Sequence, residues 1–161
     1  MFDIERSLKV GLSFGLTSAV ITTLGLIVGL DASINTKMAV LGGILIIAIA
    51  DAFSDALGIH VSEESENVHT AAEIWKSTMA TFLSKFVFAM TFAVPVLLLP
   101  LETAVVVDII WGLLLLAVFS YYIGKQERTN PWKVVIEHVI IGIAVITITY
   151  FVGKWIGTNF V

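Results

Sequence analysis

Long apolar blocks separated by short polar connections run along the whole chain. Five blocks are long enough to be helices that cross a bilayer, at about residues 10–30, 38–60, 78–99, 103–123 and 134–155. Such a helix needs roughly 20 predominantly apolar residues. None of the connections is long enough to hold another domain. The pattern therefore predicts an all-α integral membrane protein with five transmembrane helices and a single transmembrane domain over residues 1–161.

Composition supports lipid as the surrounding solvent. Hydrophobic residues make up 58% of the chain and charged residues 14%, whereas soluble domains carry about 25% charged residues. The formal net charge of −4 gives no basic surface, which argues against nucleic acid as a partner. The absence of cysteine excludes disulfides and thiolate metal sites. No catalytic motif is present, so we expect neither an enzyme nor a permanently bound cofactor.

The distribution of lysine and arginine predicts the orientation. With the N-terminus in the cytoplasm, six basic residues lie in or near the inner connections and two near the outer ones, which follows the positive-inside rule. The inner six are Arg6, Lys9, Lys76, Lys125, Arg128 and Lys133, and the outer two are Lys37 and Lys154. This orientation places the C-terminus outside. The lack of a targeting extension favours a prokaryotic plasma membrane as the location of this multi-pass protein.

Two acidic residues within the second apolar block are the strongest functional indication. Asp51 and Asp55 are four residues apart and so share one helix face, which Ser54 extends. A carboxylate at mid-membrane costs about 2.5–3.5 kcal/mol, and two such groups repel each other unless a cation or proton lies between them. Oxygen ligands suit Mg²⁺, Ca²⁺ or Mn²⁺, and an added imidazole extends the choice to iron and zinc. Thr22, in the hydroxyl-rich first helix, is a further candidate for the path.

Lys85 lies about two turns inside the third block and has three possible roles. It pairs with Asp51 or Asp55 in a salt bridge that opens during transport, it pairs with one of them as a structural latch, or it extends towards the cytoplasmic interface. His60 and the pair Glu63 and Glu64 follow the second block at its inner end. They either gather divalent cations at the mouth of the path or simply solvate a connection.

Several other positions have a less specific interpretation. Asp108 is expected to face an outer vestibule or the interface, and His138 is expected to be interfacial rather than a ligand. The glycine pairs Gly11–Gly15 and Gly25–Gly29 have small-xxx-small spacing. Such pairs allow close helix contact, either within the bundle or in a dimer.

Four stretches resemble the vacuolar iron transporter family. They are residues 20–30 (VITTLGLIVGL), 52–62 (AFSDALGIHVS, similar to A-x-S-M-A-x-G-E-Y-V-S), 80–83 (ATFL, with Pro95 and Pro100 downstream) and 142–153, where TYFVGK at 149–154 is similar to a T-Y-x-x-G-R ending. The resemblance implies five helices, a homodimer in the bilayer, and proton-driven export of Fe²⁺ or Mn²⁺ from the cytosol along the first two helices.

The chain also departs from this family pattern. The family's first-helix aspartate falls near Ser18 or Ala19, and its second-helix methionine corresponds to Asp55. The glutamate-rich helical insert that binds metal in the family is missing, since residues 61–77 are too few to hold it. Asp51 and Asp55 therefore supply on the second helix the charge that the first helix lacks.

These observations lead to one main hypothesis, one alternative, and a third possibility in which another cation or protons alone are transported. The main hypothesis is a homodimeric, proton-coupled exporter of Fe²⁺ or Mn²⁺ for metal homeostasis. Its path contains Thr22, Asp51, Ser54, Asp55 and Lys85, and its metal-binding residues are Asp51, Asp55, His60, Glu63 and Glu64. The alternative is a non-transporting structural or regulatory protein of the same fold, in which an aspartate of the second helix and Lys85 form a latch.

Overall fold

The architecture is a bundle of five long helices joined by short turns. The computed structural model describes residues 2–160, with side chains from residue 5 onward. The helices are α1 (Phe2–Ser33), α2 (Lys37–Glu66), α3 (Ala71–Leu98), α4 (Leu101–Gln126) and α5 (Pro131–Phe160). All five contain stretches long and apolar enough to cross a membrane, and no strand occurs in the part described. The expectation of an all-helical protein with five such helices is confirmed.

The turns follow from local sequence. Asn35 and Asn67 adopt positive φ angles of 47° and 53° after α1 and α2, a conformation that asparagine tolerates better than most residues. Thr70 and Glu73 form a capping box that starts α3. Proline precedes α4 and opens α5, where its missing N–H removes no helical hydrogen bond. These signals end each helix sharply and keep its neighbour antiparallel and adjacent.

The helices extend beyond the apolar blocks that predicted them. α2 continues through Glu66, so the acidic residues that the sequence assigned to a connection lie on its last helical turn. Hydropathy marks only the stretch suited to lipid, whereas backbone hydrogen bonding continues until a cap interrupts it. The side chains of Glu63 and Glu64 therefore have fixed directions relative to Asp55.

α1 is the central helix, and its glycines determine how closely the others approach. A Cβ atom on Gly15 would lie 2.6 Å from the carbonyl oxygen of Thr81 on α3. A Cβ atom on Gly25 would lie 3.1 Å from a Val145 methyl group on α5. Both small-xxx-small pairs thus pack against helices of the same chain. This supports the interpretation as bundle packing for Gly11–Gly15 and Gly25–Gly29.

We expect Gly15→Ala to destabilise the bundle by about 1–3 kcal/mol, because the added methyl group forces α1 and α3 apart. The matched control is Gly42→Ala on α2, since a Cβ atom at Gly42 would meet nothing within 4 Å. Thermal unfolding in detergent should show a lower midpoint for Gly15→Ala and an unchanged or higher one for Gly42→Ala. Equal midpoints for the two variants would contradict the close packing of α1 on α3.

Candidate functional site

A change of helix type in α2 positions the two acidic residues. The backbone forms a π-helical turn over Ile47–Asp51 and returns to α-helix at Ala52. Such turns are rare and occur frequently at functional sites. Asp51 ends the π-helical turn and Asp55 lies one α-turn beyond it, so both carboxylates project from the same face of α2. That face is turned towards α3.

Lys85 of α3 lies between these two carboxylates. Its Nζ atom is 2.5 Å from Asp51 Oδ2, and it donates hydrogen bonds to Asp55 Oδ2 and, over 2.8 Å, to Ser18 Oγ of α1. The whole Lys85 residue is 0% exposed. Of the three roles predicted for Lys85, the one in which its side chain extends towards the cytoplasmic interface is wrong, because the ammonium group lies inside the bundle. Pairing with the aspartates is what the structure contains.

The two aspartates hold Lys85 differently. Asp55 Oδ2 accepts a hydrogen bond from Nζ, whereas Asp51 Oδ2 forms an ion pair without hydrogen-bond alignment. The Asp51 side chain is 31% exposed and that of Asp55 is 17% exposed. With all three groups ionised, the cluster has a formal charge of −1. Asp51 is therefore the carboxylate with both the looser contact and the more open position.

A groove of about 450 Å³ leads to Asp51 from the surface of the bundle. Its lining comes from α1 and α2 and consists of Thr22, Ile46, Ile47, Ala50, Asp51 and Ser54. Three predicted path residues, Thr22, Asp51 and Ser54, therefore line one groove. The other two, Asp55 and Lys85, contact it through the ion-pair cluster. The groove supplies hydroxyl and carboxylate oxygens, which are the ligands that hard divalent cations prefer.

The predicted residues of the inner mouth do not join this cluster. His60 Nδ1 lies 3.0 Å from Thr78 Oγ1, and the imidazole packs edge-on against Trp75. Glu63 is buried and accepts a hydrogen bond from Ser77, whereas Glu64 is exposed. Among the side chains that the structure describes, from residue 5 to residue 160, no group of three or more histidine or acidic residues is placed to hold one metal ion. Of the five predicted metal residues, Asp51 and Asp55 thus meet at Lys85, whereas His60, Glu63 and Glu64 occupy separate positions.

A second polar cavity, of about 120 Å³, lies at the same end of the bundle as Glu63. Glu63 and Glu66 line it together with Arg6 and His69. His69 Nε2 lies 3.1 Å from Glu66 Oε2, and Glu63 accepts a hydrogen bond from Ser77, so part of the acidic run has hydrogen-bond partners. The acidic run is therefore neither a fully solvated connection nor a row of free carboxylates.

Sequence reasoning missed three features of the site and its surroundings. Ser18 is the third partner of Lys85, and its position four residues before Thr22 on a polar face of α1 was the available signal. The expectation for Asp108 was wrong, since that residue is 0% exposed and neither carboxylate oxygen has a hydrogen-bond partner among the described residues. His138 contacts Ser120 of α4 at 2.7 Å, and no local pattern indicated that contact.

Comparison with known families places the chain among membrane transport proteins. A sequence model of the VIT family matches residues 68–154, which is more than half of the chain. The match contains Lys85, Asp108 and His138, whereas Asp51 and Asp55 lie before it. The comparison with curated proteins gave no match. The resemblance to vacuolar iron transporters inferred from the sequence is confirmed.

Proposed function

The chain belongs to the VIT family, whose members are membrane transporters of metal ions rather than enzymes, and from this premise we propose that it exports Fe²⁺ or Mn²⁺ from the cytoplasm in exchange for protons. The proposed location is a prokaryotic plasma membrane, and the proposed working unit is a homodimer. The transported ion is the substrate, and no resident cofactor takes part.

The observation that carries this proposal is the ammonium group of Lys85 held between Asp51 and Asp55 beside an open groove. The two carboxylates that bind the ammonium cation of Lys85 inside the membrane are also suited to bind a metal cation. Lys85 then acts as a tethered cation that occupies the site between transport events. A divalent ion entering by the groove competes with Nζ for the same oxygens.

Charge explains why such competition is feasible. Two carboxylates with Lys85 carry a formal charge of −1, and the same carboxylates with a divalent ion carry 0, or +1 when the displaced ammonium group beside them is counted. Neither state leaves two uncompensated charges in a medium where each is costly. Ser18 Oγ, already 2.8 Å from Nζ, offers the displaced ammonium group a polar partner. Protons that neutralise Asp51 and Asp55 in turn would complete the exchange.

His60, Glu63 and Glu64 have a separate role in the proposal. They lie on the same helix as Asp55, at the end assigned to the cytoplasm by the charge pattern. The carboxylates of Glu63 and Glu64 attract divalent cations there and raise their local concentration before they reach the groove. Because these residues share no coordination sphere with Asp51, their contribution is to the rate of arrival rather than to tight binding.

The direct test is a flux assay in proteoliposomes with Fe²⁺, Mn²⁺, Co²⁺ and Zn²⁺, each with and without a pH gradient. We expect uptake of Fe²⁺ or Mn²⁺ that is faster when the vesicle lumen is more acidic than the medium, because protons then leave as the metal enters. Uptake of the metals without any response to the gradient would remove proton coupling from the proposal. No flux of any of the four ions would remove transport.

The homodimer can be tested with engineered cysteines, because the chain has none of its own. Ala50, Ser54 and Gly58 recur at four-residue spacing on the exposed side of α2, and a Cβ atom at Gly58 would meet nothing within 4 Å. We expect Gly58→Cys to form a disulfide-linked dimer in membranes, with Thr147→Cys on the exposed side of α5 as the matched control. Equal cross-linking of both variants would contradict a dimer through α2.

The alternative is a non-transporting protein of the same fold, and one observation favours it. Lys85 is completely buried and contacts two carboxylates and a hydroxyl, as a latch joining α1, α2 and α3 would. Removing Lys85 distinguishes the two functions, because a latch needs the ammonium group for folding whereas a cation site can be satisfied by a different cation.

A further inference from the structure

A further cavity, distinct from the groove at Asp51 and from the cavity at Glu63, approaches the ion-pair cluster from another face of α1. It has a volume of about 320 Å³ and lies between α1, α4 and α5. Ser18 lines this cavity and also accepts the hydrogen bond from Lys85. The cavity shares no lining residue with the groove at Asp51. Ser18 therefore separates the Lys85 cluster from a space that the cation path does not use.

His138 of α5 lies across this cavity at the same depth as Ser18. α1 and α5 run side by side in the same direction, with Gly25 against Val145 and Gly142 against Ile21. Ser18 and His138 each lie about one turn before the contact between Ile21 and Gly142. Ser18, Lys85 and His138 thus form one transverse polar layer. His138 is the ionisable side chain in the cavity lining.

The hydrogen bonds around Ser120 define the tautomer of His138. The Ser120 hydroxyl has one proton, which it donates to the carbonyl oxygen of Leu116 over 2.5 Å. It therefore accepts at its 2.7 Å contact with His138 Nδ1, so Nδ1 carries a hydrogen. In the neutral ring the other nitrogen, Nε2, has a free lone pair. A ring in this tautomer is ready to accept a proton at Nε2.

Among the described side chains of α1, α4 and α5, no other ionisable group lines the cavity. On α5 itself, Glu137 lies on the exposed side, with Lys133 3.9 Å away. Lys85 lies directly behind the lining, because its ammonium group donates a hydrogen bond to Ser18. An imidazolium at His138 therefore faces the cluster of Lys85 and its two aspartates across Ser18.

We propose that His138 binds one of the protons exchanged for the transported cation, in addition to those taken up by Asp51 and Asp55, and that its cavity is a path for this proton separate from the cation groove. This inference rests on the proposed cation exchange. The step is a single proton transfer from a hydronium ion in the cavity: one O–H bond of hydronium breaks and one N–H bond forms at Nε2, while Nδ1–H keeps its hydrogen bond to Ser120. The reverse step returns the proton to water as hydronium. No other bond changes.

Coulomb repulsion couples the two sites. An imidazolium at His138 opposes a divalent cation at Asp51 and Asp55 in the same low-dielectric layer. Binding linkage is reciprocal, so arrival of the cation from the cytoplasm favours release of the proton from His138 by the same factor. Couplings of this kind change affinities by about 5- to 150-fold. The result is exchange without direct contact between the proton and the metal.

The test measures Mn²⁺ affinity of the purified protein between pH 6 and pH 8, together with Mn²⁺ flux at a fixed pH. We expect about tenfold weaker binding at the lower pH for the natural sequence, a coupling within the range above. His138→Gln should lose most of that pH dependence of binding, and its Mn²⁺ flux should respond less to pH than that of the natural sequence. Glu137→Gln, a neighbouring charge removal on the exposed side of α5, should behave like the natural sequence.

The outcomes separate this inference from the proposed function. Flux in the natural sequence with unchanged pH dependence in His138→Gln overturns the role of His138 alone. Absence of Mn²⁺ and Fe²⁺ flux in the natural sequence overturns both. If His138→Gln does not fold, ¹⁵N NMR of the natural protein with labelled histidine identifies which ring nitrogen of neutral His138 carries the hydrogen. We expect the hydrogen on Nδ1, and a hydrogen on Nε2 would overturn the proposal.

Discussion

Asp55→Asn is expected to reduce divalent-cation flux by about 100-fold or more while leaving the protein folded. Asp55 accepts the directed hydrogen bond from Lys85 and is the less exposed of the two carboxylates. Removing one member of a buried, hydrogen-bonded charge pair costs about 2–5 kcal/mol, and 2.7 kcal/mol corresponds to a factor of 100 in binding. Asparagine preserves size and one oxygen but removes the charge that a divalent ion needs.

The measurement is initial Mn²⁺ or Fe²⁺ uptake into proteoliposomes at matched protein density. Glu127→Gln, an exposed carboxylate in the turn between α4 and α5, is the control for removal of one negative charge. Size-exclusion profiles of both variants check that the fold and any dimer persist. Wild-type flux in Asp55→Asn would exclude Asp55 from the transport mechanism.

Lys85→Met is expected to destabilise the metal-free protein by about 3–5 kcal/mol, and a divalent cation should restore the loss. Methionine fills a similar volume but leaves Asp51 and Asp55 without their cation, which is the costly way to break a buried ion pair. A divalent ion can then bind both carboxylates without competing against Nζ. Added Mn²⁺ should therefore raise the thermal midpoint of Lys85→Met far more than that of the natural protein.

This variant separates the two candidate functions. If the cluster is only a latch, Lys85→Met remains unstable at every concentration of Mn²⁺, Fe²⁺ or Zn²⁺. Lys85→Arg is the matched control, because it keeps a positive charge in the layer and should fold without added metal. A Lys85→Met protein as stable as the natural one, with or without cations, would contradict both functions.

The candidate site was only partly readable from the sequence. Asp51 and Asp55 stand out because charged residues are rare in apolar blocks and their four-residue spacing puts them on one face. The sequence did not decide which side chain pairs with these carboxylates, since Lys85 had room either to pair with them or to reach the interface. His60 and Glu64 looked equally suitable as ligands, yet one binds Thr78 and the other faces solvent.

By itself the sequence determined the helical class, the five apolar spans and the resemblance to the VIT family. These depend on local properties, namely the length of an apolar block and the caps or prolines that end it, which neighbouring residues encode directly. Orientation and a homodimer remain predictions from charge pattern and resemblance.

Only the tertiary structure decided which side chains meet. Ser18 and Lys85 are 67 positions apart, and Asp55 and Lys85 are 30 apart. Such pairs depend on how α1 packs against its neighbours, which the steric fit of glycines against carbonyls and methyl groups determines. The same packing buries Asp108 and brings His138 to Ser120, because close approach in a bundle depends on the shapes of whole helix surfaces rather than on any local pattern.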